Sequence, residues 1–91
     1  MEYEEELNEI IGRIKRIRTE QGVSQLELAN KANFSQSFLA NVESGKKKPS
    51  VMTLIRIAKA LDVNPRDFFP PSPQKNKDEI KKEIALLLER L

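Results

Sequence analysis

The feature that most narrows what this chain can fold into is the punctuation between Gly22 and Pro49. Helix starts and stops alternate there at intervals that leave room only for two small, adjacent helices. Ser24-Gln25-Leu26-Glu27 reads as a capping box: the serine hydroxyl accepts an orphan amide proton of the first turn, and the glutamate three residues on reaches back to the cap. Asn33 is a non-glycine residue that readily takes the left-handed conformation ending a helix, so the first of the pair runs from Gln25 to Ala32. It buries Leu28, Ala29 and Ala32, the alanines permitting close approach of a neighbour, and leaves Leu26 outside. Ser35 caps again and Gly45 supplies the next left-handed stop, which encloses a second helix of about two and a half turns. Two short helices joined by a turn of about three residues form a helix-turn-helix unit.

The second helix of that unit has two contrasting faces. Phe38, Leu39 and Val42 keep to one side and read as core. Gln36, Ser37, Ala40 and Asn41 project elsewhere and carry no charge. Amides present a donor beside an acceptor, which matches the adenine edge in the major groove, and serine bonds several base edges or a phosphate. Lys46, Lys47 and Lys48 follow at once, three point charges suited to phosphates.

The charge distribution agrees with a polyanionic partner. Residues 1–11 hold five acids and no base, residues 12–61 hold ten Lys or Arg against three acids, and residues 62–91 carry six of each. A basic middle section of this kind is the electrostatic footprint of nucleic-acid binding, and a solvated lysine-rich surface has the same composition. The chain has no Cys and no His, which removes disulfides, thiolate nucleophiles, imidazole bases and the usual zinc ligand sets. The acids of the opening MEYEEE belong to a solvated helix start, so no catalytic residue, metal or cofactor is expected and the chain does not read as an enzyme. No apolar run approaches the roughly 20 residues that span a bilayer, and the acidic start is unlike a signal peptide, so no membrane partner and a cytoplasmic location are expected.

The remaining segments complete one small domain. A first helix starts near Glu4 or Glu5 and runs to Gln21, with Leu7, Ile10, Ile11, Ile14 and Ile17 as its apolar stripe. Arg18 adjoins that stripe on its inner shoulder, where an arginine needs a carboxylate partner. After Pro49, Ser50 caps a core helix with Val51, Leu54, Ile57, Ala58 and Leu61 at helical spacing. Asn64-Pro65 starts a last short turn whose Phe68, with Val63, closes the core. Pro70-Pro71-Ser72-Pro73 is extended spacer, and residues 77–91 read as a charged helix with a narrow seam of Ile80, Ile84, Leu87, Leu88 and Leu91. The expected organisation is a domain over 1–69, a proline-rich linker over 70–76 and a dimerising helix over 77–91.

These residues resemble the helix-turn-helix regulators of the phage lambda repressor and Cro type, the xenobiotic response element family. The ordered matches are Ile17-Arg18, Gly22, Ser24-Gln25, Glu27-Leu28-Ala29, Ser35, Leu39, Val42-Glu43, Gly45-Lys46, Pro49-Ser50, Leu54, Ile57-Ala58, Ala60-Leu61 and Phe68. They extend from about Ile11 to Phe69. The resemblance implies an all-α, five-helix lambda-repressor-like domain, to which the C-terminal amphipathic helix is an addition. It implies phosphate contact by Gln25, backbone grip by Ser35, Ser44 and Lys46, base reading by Gln36, Ser37 and Asn41, and a structural pair of Arg18 with Glu43. Asn33 stands where relatives often carry glycine, and Phe38 where they often carry a small or polar residue near the groove, so the resemblance places Phe38 either in the core or against a thymine methyl. The function this implies is a sequence-specific regulator of double-stranded DNA, in most cases a repressor, working as a homodimer. Members of this type also serve as antitoxins or adaptors that bind proteins, an alternative opposed here by the acid-free face of the second helix of the pair.

Overall fold

The computed structural model describes residues 3–71 and 77–89, and at residues 77–80 and 83 the backbone alone. The chain forms α1 (Glu4–Glu20), α2 (Gln25–Ala32), α3 (Gln36–Glu43), α4 (Val51–Ala60), a 3-10 turn (Pro65–Phe68) and α5 (Lys77–Glu89). No strand occurs among the described residues. The all-α architecture expected from the spacing of caps and stops is the one observed.

Serine caps start three of these helices. Ser24, Ser35 and Ser50 take extended backbone and accept the amide protons of Glu27, Phe38 and Thr53 at 3.0, 3.0 and 3.1 Å. At Ser24 only this half of the expected capping box forms, since no bond returns from the Glu27 side chain to the cap. A complete box occurs instead at the 3-10 turn, where Asn64 Oδ1 accepts from Arg66 N at 3.0 Å and Asp67 Oδ2 accepts from Asn64 N at 3.3 Å.

Three helices end in the same doubly bonded turn. The amides of Gly22 and Val23 reach Thr19 O and Arg18 O; those of Asn33 and Phe34 reach Asn30 O and Ala29 O; those of Asp62 and Val63 reach Lys59 O and Ala58 O. Each turn places one residue in left-handed backbone: Gly22 at φ 72°, Asn33 at 60° and Asp62 at 56°. Gly22 and Asn33 announce themselves by residue type, whereas Asp62 does not. An L residue in this conformation is disfavoured by about 1–2 kcal/mol, and glycine's extra freedom when unfolded offsets part of any relief. Asp62→Gly is therefore expected to stabilise the domain by about 0.5 kcal/mol and raise its melting temperature by a few degrees. A fall in that temperature would show that the Asp62 side chain makes a compensating contact.

The core gathers Ile10 and Ile14 of α1, Leu28 and Ala29 of α2, Leu39 of α3, Leu54, Ile57 and Ala58 of α4, and Leu61 and Phe68 beyond it. Ile17, Val23, Phe34 and Val63 pack around its rim. Two residues depart from the expected core. Val51, at the edge of the Leu54–Ile57–Ala58–Leu61 stripe, is largely exposed, while Thr53, in the same first turn of α4, is buried. The Thr53 hydroxyl is satisfied by Ser50 Oγ at 2.9 Å. Phe38 is half-buried, not core. Gln21 ties the ends of α1 and α4 together by donating Nε2–H to Leu61 O at 2.8 Å.

In α5 the described apolar side chains are all open to solvent: Ile84 at 51%, Leu86 at 57%, Leu87 at 60% and Leu88 at 63%. Leu86 lies off the seam formed by Ile84, Leu87 and Leu88, at about 100° per residue. Of the other seam residues, the Ile80 side chain and Leu91 lie outside the described residues, as do residues 72–76 of the proline-rich linker. No helix among the described residues is long and apolar enough to cross a membrane.

Candidate nucleic-acid interface

The capping bond at Ser35 sets the rotation of α3. From that start, at about 100° per residue, Gln36, Ser37, Ala40, Asn41 and Ser44 fall within an arc of about 140°, and Leu39, Val42 and Glu43 fall within a second arc facing the core. Leu39, Val42 and Glu43 are buried, and Gln36, Ser37, Asn41 and Ser44 are exposed. Phe38 lies between the arcs, beside Asn41, which is why it is half-buried. The apolar spacing that grouped it with Leu39 and Val42 could not separate the shoulder of the stripe from its centre.

The single acid of α3 is removed from this surface. Glu43, with a side chain 3% exposed, takes Arg18 Nε–H on Oε2 and Arg18 Nη2–H on Oε1, each at 2.9 Å. The third guanidinium nitrogen, Nη1, donates to Val23 O at 3.0 Å. This bidentate pair joins α1 to α3, and it neutralises both charges within the domain. Glu43 Oε1 also accepts from Gln25 Nε2 at 3.2 Å. Only the amide nitrogen can face a carboxylate, so the Gln25 amide is held in one orientation at the start of α2. The sequence assigned Gln25 to phosphate contact and missed this anchor.

Of the other candidates, Ser35 commits its hydroxyl oxygen to the cap while remaining exposed, and Ser44 donates its hydroxyl to Asn41 O at 3.2 Å. Lys46, Lys47 and Lys48 are exposed on the loop after Gly45, whose φ of 82° turns the chain back across α3. The Lys47 amide bonds Asn41 O at 3.0 Å, and its ammonium lies 5.1 Å from the centre of the Phe38 ring. The three lysines are therefore not equivalent. Phe38 in turn meets Phe34 with ring centres 4.8 Å apart and planes tilted by 41°, and the Arg56 guanidinium lies 4.0 Å from the Phe34 ring centre. Arg56 donates Nε–H and Nη2–H to Ala32 O at 3.1 and 2.8 Å, and Nη2–H to Asn33 O at 2.7 Å.

Arg56 thus closes the C-terminus of α2 and fixes the turn between the two helices of the unit. Sequence reading counted it only as charge. The available signal was the set of orphan carbonyls that any helix end leaves, together with an arginine beside the core residue Ile57.

Fold and surface together define a helix-turn-helix domain with an exposed, acid-free face on its second paired helix. A family model described as helix-turn-helix matches residues 14–68, and the chain belongs to that family, the lambda-repressor-like (XRE) group of DNA-binding transcriptional regulators. The chain is 36% identical over 59 residues to an uncharacterized HTH-type transcriptional regulator, y4dJ, of Sinorhizobium fredii, covering 65% of this chain and 77% of that protein. It is 47% identical over 51 residues to the immunity repressor protein of Bacillus phage phi105, covering 56% of this chain and 35% of the repressor. Its fold is similar to that of the restriction-modification controller protein C.AhdI from Aeromonas hydrophila. The TM-score is 0.67 with 33% identity, over 69% of this chain and 96% of that one. A point mutant of a second restriction-modification controller protein, C.Esp1396I, gives a TM-score of 0.65 with 28% identity, over 87% of this chain and 92% of that one.

Proposed function

We propose that this regulator binds double-stranded DNA sequence-specifically as a homodimer, acts as a repressor, and reads the major groove with α3. The observation that carries the reading is the α3 face itself: two amides and a hydroxyl exposed side by side, with the helix's one acid turned inward and paired. Gln36 and Asn41 are suited to adenine edges, and Ser37 to a base edge or phosphate. Gln25, Ser35, Ser44, Lys46, Lys47 and Lys48 surround that face and hold the phosphate backbone. The C-terminal segment that holds α5 joins two copies, so that two α3 helices meet half-sites about 34 Å apart. The exposed Ile84, Leu87 and Leu88 support this last step, and they equally favour the second reading of an antitoxin or adaptor whose tail binds a different protein.

Selection from random duplexes, read by sequencing, tests the proposal. A palindromic consensus with half-sites one helical turn apart is expected. Enrichment of no motif would contradict base reading, and enrichment of a single half-site would contradict the dimer.

A further inference from the structure

We infer that Phe38 is a positioning residue for Lys47, holding its ammonium over the ring at the edge of the α3 face as a preset contact for one DNA phosphate. The inference rests on the DNA-binding reading above and adds a role that charge counting does not supply. Lys47 is tied twice to the same part of α3. Its amide is bonded to Asn41 O at 3.0 Å, and its ammonium lies 5.1 Å from the centre of the Phe38 ring. A ring face attracts a cation but takes none of its N–H donors, so the ammonium stays able to bond an anionic oxygen.

The ring is itself held from behind. Phe34 packs against it with centres 4.8 Å apart, and Arg56 lies over Phe34 while bonded to Ala32 O and Asn33 O. The turn of the helix-turn-helix unit, the aromatic pair and Lys47 therefore form one stack that ends at the base-reading face. A free lysine loses side-chain freedom when it engages a phosphate, and one already held on a ring has lost part of it beforehand. Lys46 and Lys48 have no such ring among the described contacts, which makes Lys47 the preset member of the run.

The test is a double-mutant cycle on the full chain with a random-sequence duplex, measured over a range of salt concentrations. Phe38→Leu keeps an apolar side chain but removes the ring face, and Phe38→Tyr keeps the face. Lys47→Ala is expected to weaken binding and lower the salt slope by about one unit. Phe38→Leu is expected to weaken it about two- to tenfold with the slope unchanged, because the charge remains and only its placement is lost. Lys47→Ala made in the Phe38→Leu background should cost less than in the wild type by that same factor, and Phe38→Tyr should bind as the wild type does.

Losses that simply multiply, on a wild type that binds DNA, would overturn the positioning role and leave the DNA reading standing. Proton NMR of the free protein gives a readout independent of DNA. The side-chain methylenes of Lys47 should resonate upfield in the wild type and Phe38→Tyr, and return to ordinary values in Phe38→Leu. Ordinary values in the wild type would overturn the stack itself. A wild type that binds no duplex at all would overturn the DNA reading, and this role with it.

Discussion

Glu43→Ala is expected to lower the melting temperature by about 12 °C or more, the largest effect of any single polar substitution in the domain. The carboxylate accepts both arms of Arg18 and the amide of Gln25, and its side chain is almost wholly buried. Its removal leaves the guanidinium with Val23 O alone, in a place where solvent reaches little of it. Breaking a buried pair from one side typically costs about 3–5 kcal/mol, and each kcal/mol moves the midpoint of a domain this size by about 4–8 °C. Against the roughly 5 kcal/mol at the low end of the range for small domains, a loss of this size brings the variant near the edge of folding.

Removing both partners together should restore stability. Arg18→Met combined with Glu43→Leu removes both charges and fills similar space with apolar groups, so it should recover most of the lost stability. Thermal unfolding of the two variants decides the matter. A single variant that melts within about 2 °C of the wild type would mean that the pair is not an energetic link between α1 and α3.

Truncation after Pro70 is the second change with a large expected effect. An isolated helix of 13 residues is marginal in water, and α5 leaves Ile84, Leu87 and Leu88 more than half exposed in the single chain. In the proposed homodimer, a second copy offering the same seam would cover those side chains and supply the two-fold axis that a palindromic site requires. The shortened chain is therefore expected to sediment as a folded monomer and to lose about 10²- to 10⁴-fold in affinity for a two-half-site duplex, while its affinity for one half-site is unchanged. Sedimentation equilibrium of both forms is the direct check. A truncated chain that dimerises as tightly as the full one would remove the interface from α5 and place it on the domain. A full chain that is monomeric by itself would point to a different protein as the occupant of that seam.

How legible these features were depends on how local the physics is. Ser24, Ser35 and Ser50 mark helix starts because a cap is made within four residues, and Gly22, Asn33 and Gly45 mark stops through their backbone conformation alone. Apolar spacing likewise placed Ile10, Ile14, Leu28, Leu39, Ile57 and Phe68 in the core. The pairing of Arg18 with Glu43, 25 residues apart, came only from the likeness to a family, since neither residue's neighbours single out its partner.

Contacts that depend on tertiary placement stayed hidden. Arg56 finds carbonyls 23 and 24 residues away, and Gln25 finds an acid 18 residues away. Nothing in the spacing of either residue encodes this. Phe38 and Val51 were misassigned for a shared reason: both sit on the shoulder of an apolar stripe, where periodicity cannot tell half-buried from buried. The end of α4 falls where the spacing through Leu61 places it, but the left-handed residue behind it, Asp62, is not singled out by residue type as Gly22 is.

Whether Gln36 and Asn41 read bases is decided by titrating three proteins against two duplexes. Wild type, Gln36→Ala and Asn41→Ala are titrated against the selected site and against a random duplex of equal length at one salt concentration. Each substitution is expected to weaken the selected site by about 1–3 kcal/mol, roughly 5- to 150-fold, and to leave random duplex binding nearly unchanged, because an amide bonded to a base edge is silent on a phosphate. Equal losses on both duplexes would contradict the account, since they would make the α3 face a backbone contact and leave sequence reading to other residues.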